Sequence, residues 1–547
     1  VTASIDVRVG GCPRRPLTPA AIDALVRVVG VEHVVVDPAA LSEAETATFA
    51  TSQEVRAIVR PRDAAQVQAC LKVANEEGLA LYPISRGKNW GLGSRVPVQS
   101  GCVVLDLGRM DRIVDYDPEM AFVTVEPGVT QRQLADFLRA QGGRHLFACT
   151  GAPPDSSIVG NTLERGDGVG PLGDRAAHVC ALEIVLATGD IVKSGFARHA
   201  SAKCSNLHRW GVGPSIDGLF SQSNLGIVTR LTMWLTPTPN VMLSLRLAIT
   251  DQGRLGSLID GLRALRLEGT LTSVCALWNE YRVLSARGQF PWEAAAHRTP
   301  LGPDGVALLR PAAAWFGIAA IYAPSLAQAD AAQQRIVEVL AERVDSLGFQ
   351  LEVRGSGVVV HTVVKGDDSA LAVFGSAEAA LAVLSGAPQE ASLASAYWRK
   401  KSPVPPGTRD LDRDRCGFLW SCPAIPLRGE DAMLATSTCH RTMLAHGFEP
   451  MLALLPQHDR TAYLVPVISY DRDIPGEDGR ALACHDALLA ALIAEGYFPY
   501  RLGVQSMNAL PPPDDDSLLL HDRLKRALDP NGVLAPGRYD FRRSKMH

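Results

Sequence analysis

The chain has 547 residues, 47% of them hydrophobic and 20% charged, with a formal net charge of −4. Such a length exceeds what one hydrophobic core organises, and such a composition excludes a disordered chain, so two domains, or one interrupted by an insertion, are expected. The small net charge and the lack of any basic run beyond Arg399, Lys400 and Lys401 argue against a nucleic-acid partner.

No window of roughly 18 uninterrupted apolar residues occurs. No charged segment leads into an apolar one at the start, so neither a membrane span nor a leader is expected, and a cytoplasmic location is. The 11 cysteines form no Cys-x-x-Cys pair and no ligand spacing with histidine, which predicts reduced, mostly buried thiols and no metal site.

From Val55 to Arg60 the pattern reads as a strand, from Ala64 to Glu77 as an amphipathic helix, and from Ala80 to Ile84 as a second strand. That is the opening of a layered α/β or α+β arrangement. A turn-forming loop follows, running Ser85, Arg86, Gly87, Lys88, Asn89, Trp90, Gly91, Leu92, Gly93. Further strands are predicted at Cys102 to Leu107, Ala121 to Val125 and Ala181 to Ala187. Around Thr236 to Asn240, with Pro237 and Pro239, the texture changes, and a domain boundary is placed there. Beyond it, helical stretches such as Gln333 to Leu347 alternate with strand-like runs such as Gly357 to Val364. Leu518 to Leu528 reads as a helix stopped by Asp529, Pro530, Asn531 and Gly532.

A phosphate needs converging backbone N–H groups, and glycine lets the main chain come close and adopt positive φ, so the Ser85–Gly93 loop suits a pyrophosphate. Alone, such a loop is an ordinary surface turn. Its company is more specific: Val125, Glu126, Pro127, Gly128, Val129, Thr130; then Val159, Gly160, Asn161, Thr162, Leu163, Glu164, Arg165, Gly166; then Phe220, Ser221, Gln222, Ser223, Asn224, Leu225, Gly226, Ile227, Val228, Thr229. Near the C-terminus Tyr500 and Arg501, read as lying at a strand end, precede Met507 and the run Ala527 to Gly537.

In this order and spacing the blocks resemble the vanillyl-alcohol oxidase and p-cresol methylhydroxylase flavoprotein family. The resemblance implies an α+β fold whose FAD-binding domain is built from both chain ends, residues 1–237 (core about 51–237) and 500–547, with an inserted α+β cap over 238–499. It implies bound FAD, with Ser85, Arg86, Gly87, Lys88, Asn89, Trp90 and Gly91 at the pyrophosphate. Gly151, Ala152, Ser157, Gly160 and Asn161 line FAD by the same resemblance, Gly226, Ile227 and Val228 offer backbone near the adenine end, and Arg501 and Arg538 join them. No Gly-x-Gly-x-x-Gly run opens a predicted helix, which argues against an NAD domain.

The resemblance further implies oxidation of a para-substituted phenol, bound as phenolate, by hydride loss from its benzylic carbon to give a quinone methide. The phenolate oxygen needs donors in a dry cavity, and Tyr500 and Arg501 match the family positions that supply them. Several positions depart from the pattern. Leu92 replaces the second phenol-binding tyrosine, and Ala152 replaces an acid beside flavin N5, with Asp155 three residues on expected as a solvated carboxylate. Val169 and Leu172 replace aromatic wall residues, which predicts a roomier, more apolar pocket. The cap segment with Pro423 and Gly429, Glu430, Asp431, Ala432 matches the family, yet Phe418 stands where the FAD-tethering histidine does. Phenylalanine has no nucleophile, so non-covalent FAD is predicted. Cys416, on the same strand face as Phe418, is expected as a buried thiol.

His440, His446 and His458 are too irregularly spaced for a metal face, and His178, His199, His208 and His361 have no evident carboxylate partner. The expectation is a flavoenzyme acting on a small aromatic substrate with O₂ or another electron acceptor, compatible with a homo-oligomer. A bulkier natural product, with internal trapping of the quinone methide, would suit the altered pocket. Two rivals stay open: an oxidoreductase of a 2-hydroxy acid or alcohol, in which Arg501 binds a carboxylate, and a flavin-binding protein without turnover.

Overall fold

The computed structural model describes residues 17–540 except 294, 296–298, 303, 304, 307, 308, 310, 311, 367–370 and 372–376. The first sheet contains β1 (Val34–Val35), β2 (Val55–Val59), β3 (Leu81–Ile84) and β4 (Cys102–Asp106) in the order β1-β2-β4-β3. β2 and β3 both run parallel to β4, because the helix Ala64–Glu77 carries the chain across between β2 and β3. That helix starts where Asp63 accepts a hydrogen bond from the Gln66 N–H and stops at Gly78, whose φ of 68° admits the left-handed cap. Its buried face, with Val67, Cys70 and Leu71, packs on Leu81, Val103 and Leu105 and on Val533 and Leu534 from the far end of the chain.

The second sheet is antiparallel: β5 (Ile113–Asp117), β6 (Phe122–Val125), β8 (Val179–Leu186), β9 (Ile191–Lys193) and β10 (Gly226–Trp234), in the order β5-β6-β10-β8-β9. A small ribbon joins β7 (His145–Leu146) to β11 (Thr236–Pro237). Between the two sheets' loops lies the cleft described below.

From β12 (Val241–Ile249) a nine-stranded antiparallel sheet begins. It contains β13 (Ala276–Asn279), β14 (Trp315–Ala323), β15 (Ser346–Val353), β16 (Val358–Lys365), β17 (Cys416–Trp420), β18 (Ala424–Pro426), β19 (Met451–Leu455) and β20 (Thr461–Asp471). Its order is β16-β15-β12-β14-β13-β19-β20-β17, with β18 also on β20. Leu255–Leu267, Leu326–Leu340, Gly429–Ala445 and Glu477–Ala494 are helices whose buried residues join this sheet's core. Gly429 packs so closely that a Cβ there would meet the Gly256 carbonyl at 2.4 Å.

The helix expected at Gln333 to Leu347 lies at Leu326–Leu340, capped by the Ser325 hydroxyl. Val344 and Leu347, which prolong the apolar pattern, are instead core residues before and within β15. Tyr500 and Arg501 are not at a strand end; they lie in the irregular segment after the helix Glu477–Ala494. The Arg399–Lys401 cluster is no surface patch either. Arg399 is buried against Glu449, with Nε and Nη2 donating at 2.6 and 2.9 Å, and Lys400 meets Asp471 at 2.9 Å. Of the ten described cysteines, all free, only Cys204 is exposed.

Glu449 also accepts from Trp398 Nε1 and the Leu301 N–H, so its removal strands a buried guanidinium and two further donors. Glu449→Ala is expected to cost about 3–5 kcal/mol, read as a lower midpoint in urea or thermal unfolding.

Candidate active site

The loop after β3 approaches an open cleft with about 1190 Å³ of empty space, its mouth included. Ser85, Arg86, Gly87, Lys88 and Asn89 line it, and Gly87 has φ 65°. The N–H groups of Arg86 to Asn89 donate to no protein acceptor among the described residues, so they form a row of donors free for an anion. On the facing side Ser157 caps the short helix Ile158–Leu163, accepting from the Gly160 N–H at 2.9 Å. A Cβ at Gly160 would stand 3.1 Å from Ser85 Oγ, so glycine there lets the helix lie against the loop.

Ala152, Ser157, Gly160, Asn161, Gly226, Ile227, Val228, Arg501 and Arg538 also line the cleft. Gly151 is exposed and outside the lining, and Trp90 and Gly91, buried further along the same loop, are outside it too. Trp90 Nε1 donates to Asp412 at 3.0 Å, and Ser94 Oγ donates to the same carboxylate at 2.7 Å. Burial raises the Asp412 carboxyl to about 6, opposed by Ser94. Thr48 staples loop to cap: its Oγ1 accepts from the Gly91 N–H at 2.9 Å and donates to the Phe418 carbonyl at 2.7 Å. Lys88 pairs with Asp155 at 3.0 Å and Asp410 at 3.2 Å, so Asp155 is occupied at the loop rather than simply solvated.

Arg501 is buried, with Nη2 donating to Asn89 Oδ1 at 2.8 Å and its guanidinium 5.5 Å over the Trp420 ring. Its Nε is buried without a partner. A missing oxygen acceptor of this kind, beside a row of unused N–H donors, fits a bound dinucleotide. Glu164 anchors the same wall. It accepts from Arg538 and, at 2.8 Å, from Tyr539 OH, while Arg538 Nη1 donates to Tyr82 OH at 2.6 Å. Burial opposes ionisation of Glu164, yet Arg538 and then Arg501 hold its carboxyl below the usual range.

Tyr500 is fixed through its main chain, its N–H donating to the Cys422 carbonyl and its own carbonyl accepting from Gln222 Nε2 at 2.8 Å. Its ring stacks on Tyr463 of β20, with centroids 3.9 Å apart. Burial, with Cys422 nearby, lifts the Tyr500 hydroxyl well above its ordinary range, against the pull of Arg501. Leu92 is buried and its carbonyl accepts from the Val504 N–H. Val169 packs toward Tyr322 and Met242 of the large sheet, and Leu172 is half-buried. Phe418 lies against Gly91, where a Cβ would meet Phe418 Cδ1 at 3.1 Å.

The sequence reading passed over several groups here. Glu164 and Gln222 sit inside the quoted blocks, so block membership was their signal. Asp167, just beyond one block, has a buried Oδ2 with no hydrogen-bond partner, and burial together with Asp174 pushes its carboxyl up to about 8. Tyr463 carried no signal. His458, set aside as a metal ligand for its spacing, has a neighbour on each nitrogen: Tyr463 OH at 3.0 Å and Asp174 at 3.8 Å. No group of three or more metal-ligating side chains occurs among the described residues.

A Cβ at Gly91 would sit 2.0 Å from Trp420 Cδ1, and Gly91 has φ 80°. Gly91→Ala is expected to cost about 1–3 kcal/mol through overpacking and to lower flavin content as purified, measured from the flavin-to-protein absorbance ratio.

An FAD binding domain model matches residues 55–195. The chain is 45% identical over 531 residues to 1'-carboxy-chondrochloren decarboxylase of Chondromyces crocatus, covering 95% of this chain and 97% of that one. It is 29% identical to the flavoprotein subunit of the hydroxylating 4-cresol dehydrogenase of Pseudomonas putida, across 86% of this chain and 85% of that one. The solved structure of p-cresol methylhydroxylase with substrate bound superposes with a TM-score of 0.84 at 26% identity, covering 95% and 96% of the two chains. The chain therefore binds FAD and belongs to the vanillyl-alcohol oxidase and p-cresol methylhydroxylase family of flavoproteins.

Proposed function

We propose that this flavoprotein oxidises a para-substituted phenol at its benzylic carbon and, where a carboxylate sits on the next carbon, releases it as CO₂. The observation that carries the reading is a pairing. Arg501 lines the cleft with Tyr500 next to it in the chain, whereas Ala152 leaves no acid where relatives would deprotonate an intermediate or direct water to it. The relative at 45% identity is named a decarboxylase, which supports the same reading.

FAD, when bound, supplies the acceptor for the hydride that leaves the benzylic carbon. The phenolate oxygen then becomes the carbonyl of a quinone methide. Breaking the bond to the carboxylate sends its electron pair into a new side-chain double bond, the ring regains aromaticity, and negative charge returns to the oxygen. Neither a water nor a base is consumed, so the loss at position 152 costs nothing. Arg501 holds a permanent positive charge near that oxygen, and Asn89 fixes its orientation.

Phe418 supports non-covalent attachment. The neighbouring thiols are poor substitutes, since burial pushes Cys416 and Cys422 each up to about 12, far from the thiolate a nucleophile requires.

Anaerobic mixing with para-hydroxyphenylpropanoate is expected to bleach the flavin and release CO₂ with para-vinylphenol. With para-ethylphenol, bleaching without CO₂ is expected. Bleaching by neither phenol, but by a 2-hydroxy acid, would sink the reading. Arg501→Ala is expected to slow flavin reduction about 100-fold. Acid precipitation should leave the yellow colour in the supernatant, and colour retained in the pellet would show a covalent link.

A further inference from the structure

The strands β2, β4 and β3 lie side by side and run parallel, in a register that sets Val59 beside Leu105 and Ile84 beside Asp106. Their carboxyl ends therefore finish level at one edge of the sheet. Open parallel sheets bind ligands at that edge, because the chain leaving each strand presents side chains to a common crevice. A second pocket lies at these three exits, with about 770 Å³ of space, its open mouth included. Arg60 reaches it from the end of β2, Arg86 and Lys88 from the loop after β3, Arg95 from further along that loop, and Arg109 from the turn after β4. The acids on its lining are Asp106 and Asp155.

We infer that this pocket is a second anion site, separate from the cofactor cleft, that takes a phosphate-class oxyanion, either free phosphate or the phosphate group of a small ester. Both acids are already engaged. Asp106 accepts from the Gly108 N–H at 2.9 Å and stands 3.5 Å from Arg60, while Asp155 pairs with Lys88 at 3.0 Å. Three guanidiniums are left without a close carboxylate among the described residues. Arg86 Nη1 donates to the Gly108 carbonyl at 3.4 Å, and Arg109 Nη1 to the Arg60 carbonyl at 2.8 Å. Arg95 has the exposed Glu43 at 3.9 Å, and its Nε is shut off from solvent with no hydrogen-bond partner.

Geometry makes the loop after β3 a wall common to both hollows. Ser85, Arg86 and Lys88 line the cleft and the pocket, whereas Arg60, Arg95 and Arg109 line the pocket alone. Arg95 packs directly on the loop's main chain: a Cβ at Gly87 would stand 3.0 Å from Arg95 Cβ and 3.3 Å from its Nε. The exit of β4 presses on the same loop, since a Cβ at Gly108 would meet the Ser85 carbonyl at 3.3 Å and Arg86 Nη1 at 3.6 Å. Five cations against two engaged carboxylates disfavour a metal ion there and favour an anion. Guanidinium N–H groups pair with the oxygens of a phosphate, and a tetrahedral dianion has acceptors enough for several arginines at once, as chloride does not. Bound there, it would tie the exits of β2 and β4 to the cofactor loop.

The test titrates the FAD-loaded protein with inorganic phosphate, and separately with glycerol 3-phosphate, by calorimetry at constant ionic strength in chloride. One phosphate per chain is expected to bind while the flavin spectrum stays that of the bound cofactor. Arg95→Gln and Arg109→Ala, each compared at equal flavin content, are expected to weaken it about tenfold, as loss of one charge-assisted hydrogen bond requires. Arg523→Ala, at an exposed helix position outside the pocket, should keep wild-type affinity. Tighter binding of glycerol 3-phosphate would identify an ester as the occupant, and tighter binding of inorganic phosphate the free ion. Wild-type affinity in both pocket variants, or an equal loss in Arg523→Ala, would overturn the site. Phosphate bound only as flavin is released would place it at the cofactor's own pyrophosphate position and overturn the site as well, as would no binding to wild type at millimolar phosphate.

Discussion

A guanidinium sealed from water must be ringed by oxygen and by electron-rich faces, and the placement of Arg501 organises everything near it. It has Asn89 on one side, Trp420 beneath it and Glu164 within electrostatic reach. Those partners come from the loop after β3, from β17 and from the helix Ile158–Leu163 with its C-cap, so one charge ties together elements far apart in the chain. The ring on which it lies is the same Trp420 that leaves no room for a side chain at Gly91. Trp420 Nε1 donates to the Trp90 carbonyl at 2.8 Å, which locks the loop and β17 together. The loop after β3, the large sheet and the buried arginine are therefore one packed unit rather than three adjoining parts.

The walls of the cleft differ in kind. The side formed by the loop after β3 offers backbone N–H groups, which carry no net charge and tolerate any anion that fits. The side formed by Glu164, Arg538, Tyr539 and Tyr82 is a network tied by hydrogen bonds within the protein, Arg538 bridging Tyr82 and Glu164 and Tyr539 joining the same carboxylate. The first side suits binding, and the second suits rigidity. Next to Arg501 in the chain, Tyr500 stacks flat on Tyr463 of the large sheet and so joins the two parts of the molecule through an apolar contact.

The elements that the amino-acid pattern made legible were those whose signals are local. Val55–Val59 and Leu81–Ile84 alternate or run apolar between clear breakers, and Ala64–Glu77 has both Asp63 and Gly78 as its punctuation. Leu326–Leu340 was drawn too far along because Ala and Gln surround its start while Val344 and Leu347 carry the apolar rhythm onward into a strand. At the site, the loop from Ser85 and the blocks around Gly160 and Gly226 could be read as motifs, since backbone approach demands glycine at fixed places. Tyr463, Thr48 and His458 could not: each acts through a partner brought near only by the fold, Thr48 across 370 residues to Phe418. Asp167 stands one residue past the block ending at Gly166, and the shielding of its Oδ2 from solvent arises only from the fold.

The strand β3 is hydrogen-bonded on one side by β4 and on the other by a short extended stretch near the end of the chain, the Leu81 N–H donating to the Val533 carbonyl and the Ala535 N–H to the Leu81 carbonyl. Leu534, Ala535 and Arg538 then line the cleft. During synthesis the ribosome has therefore produced the whole large sheet before the cleft gains its last wall. A nascent chain that stalls before that stretch carries every strand of the large sheet but lacks one wall of the cleft.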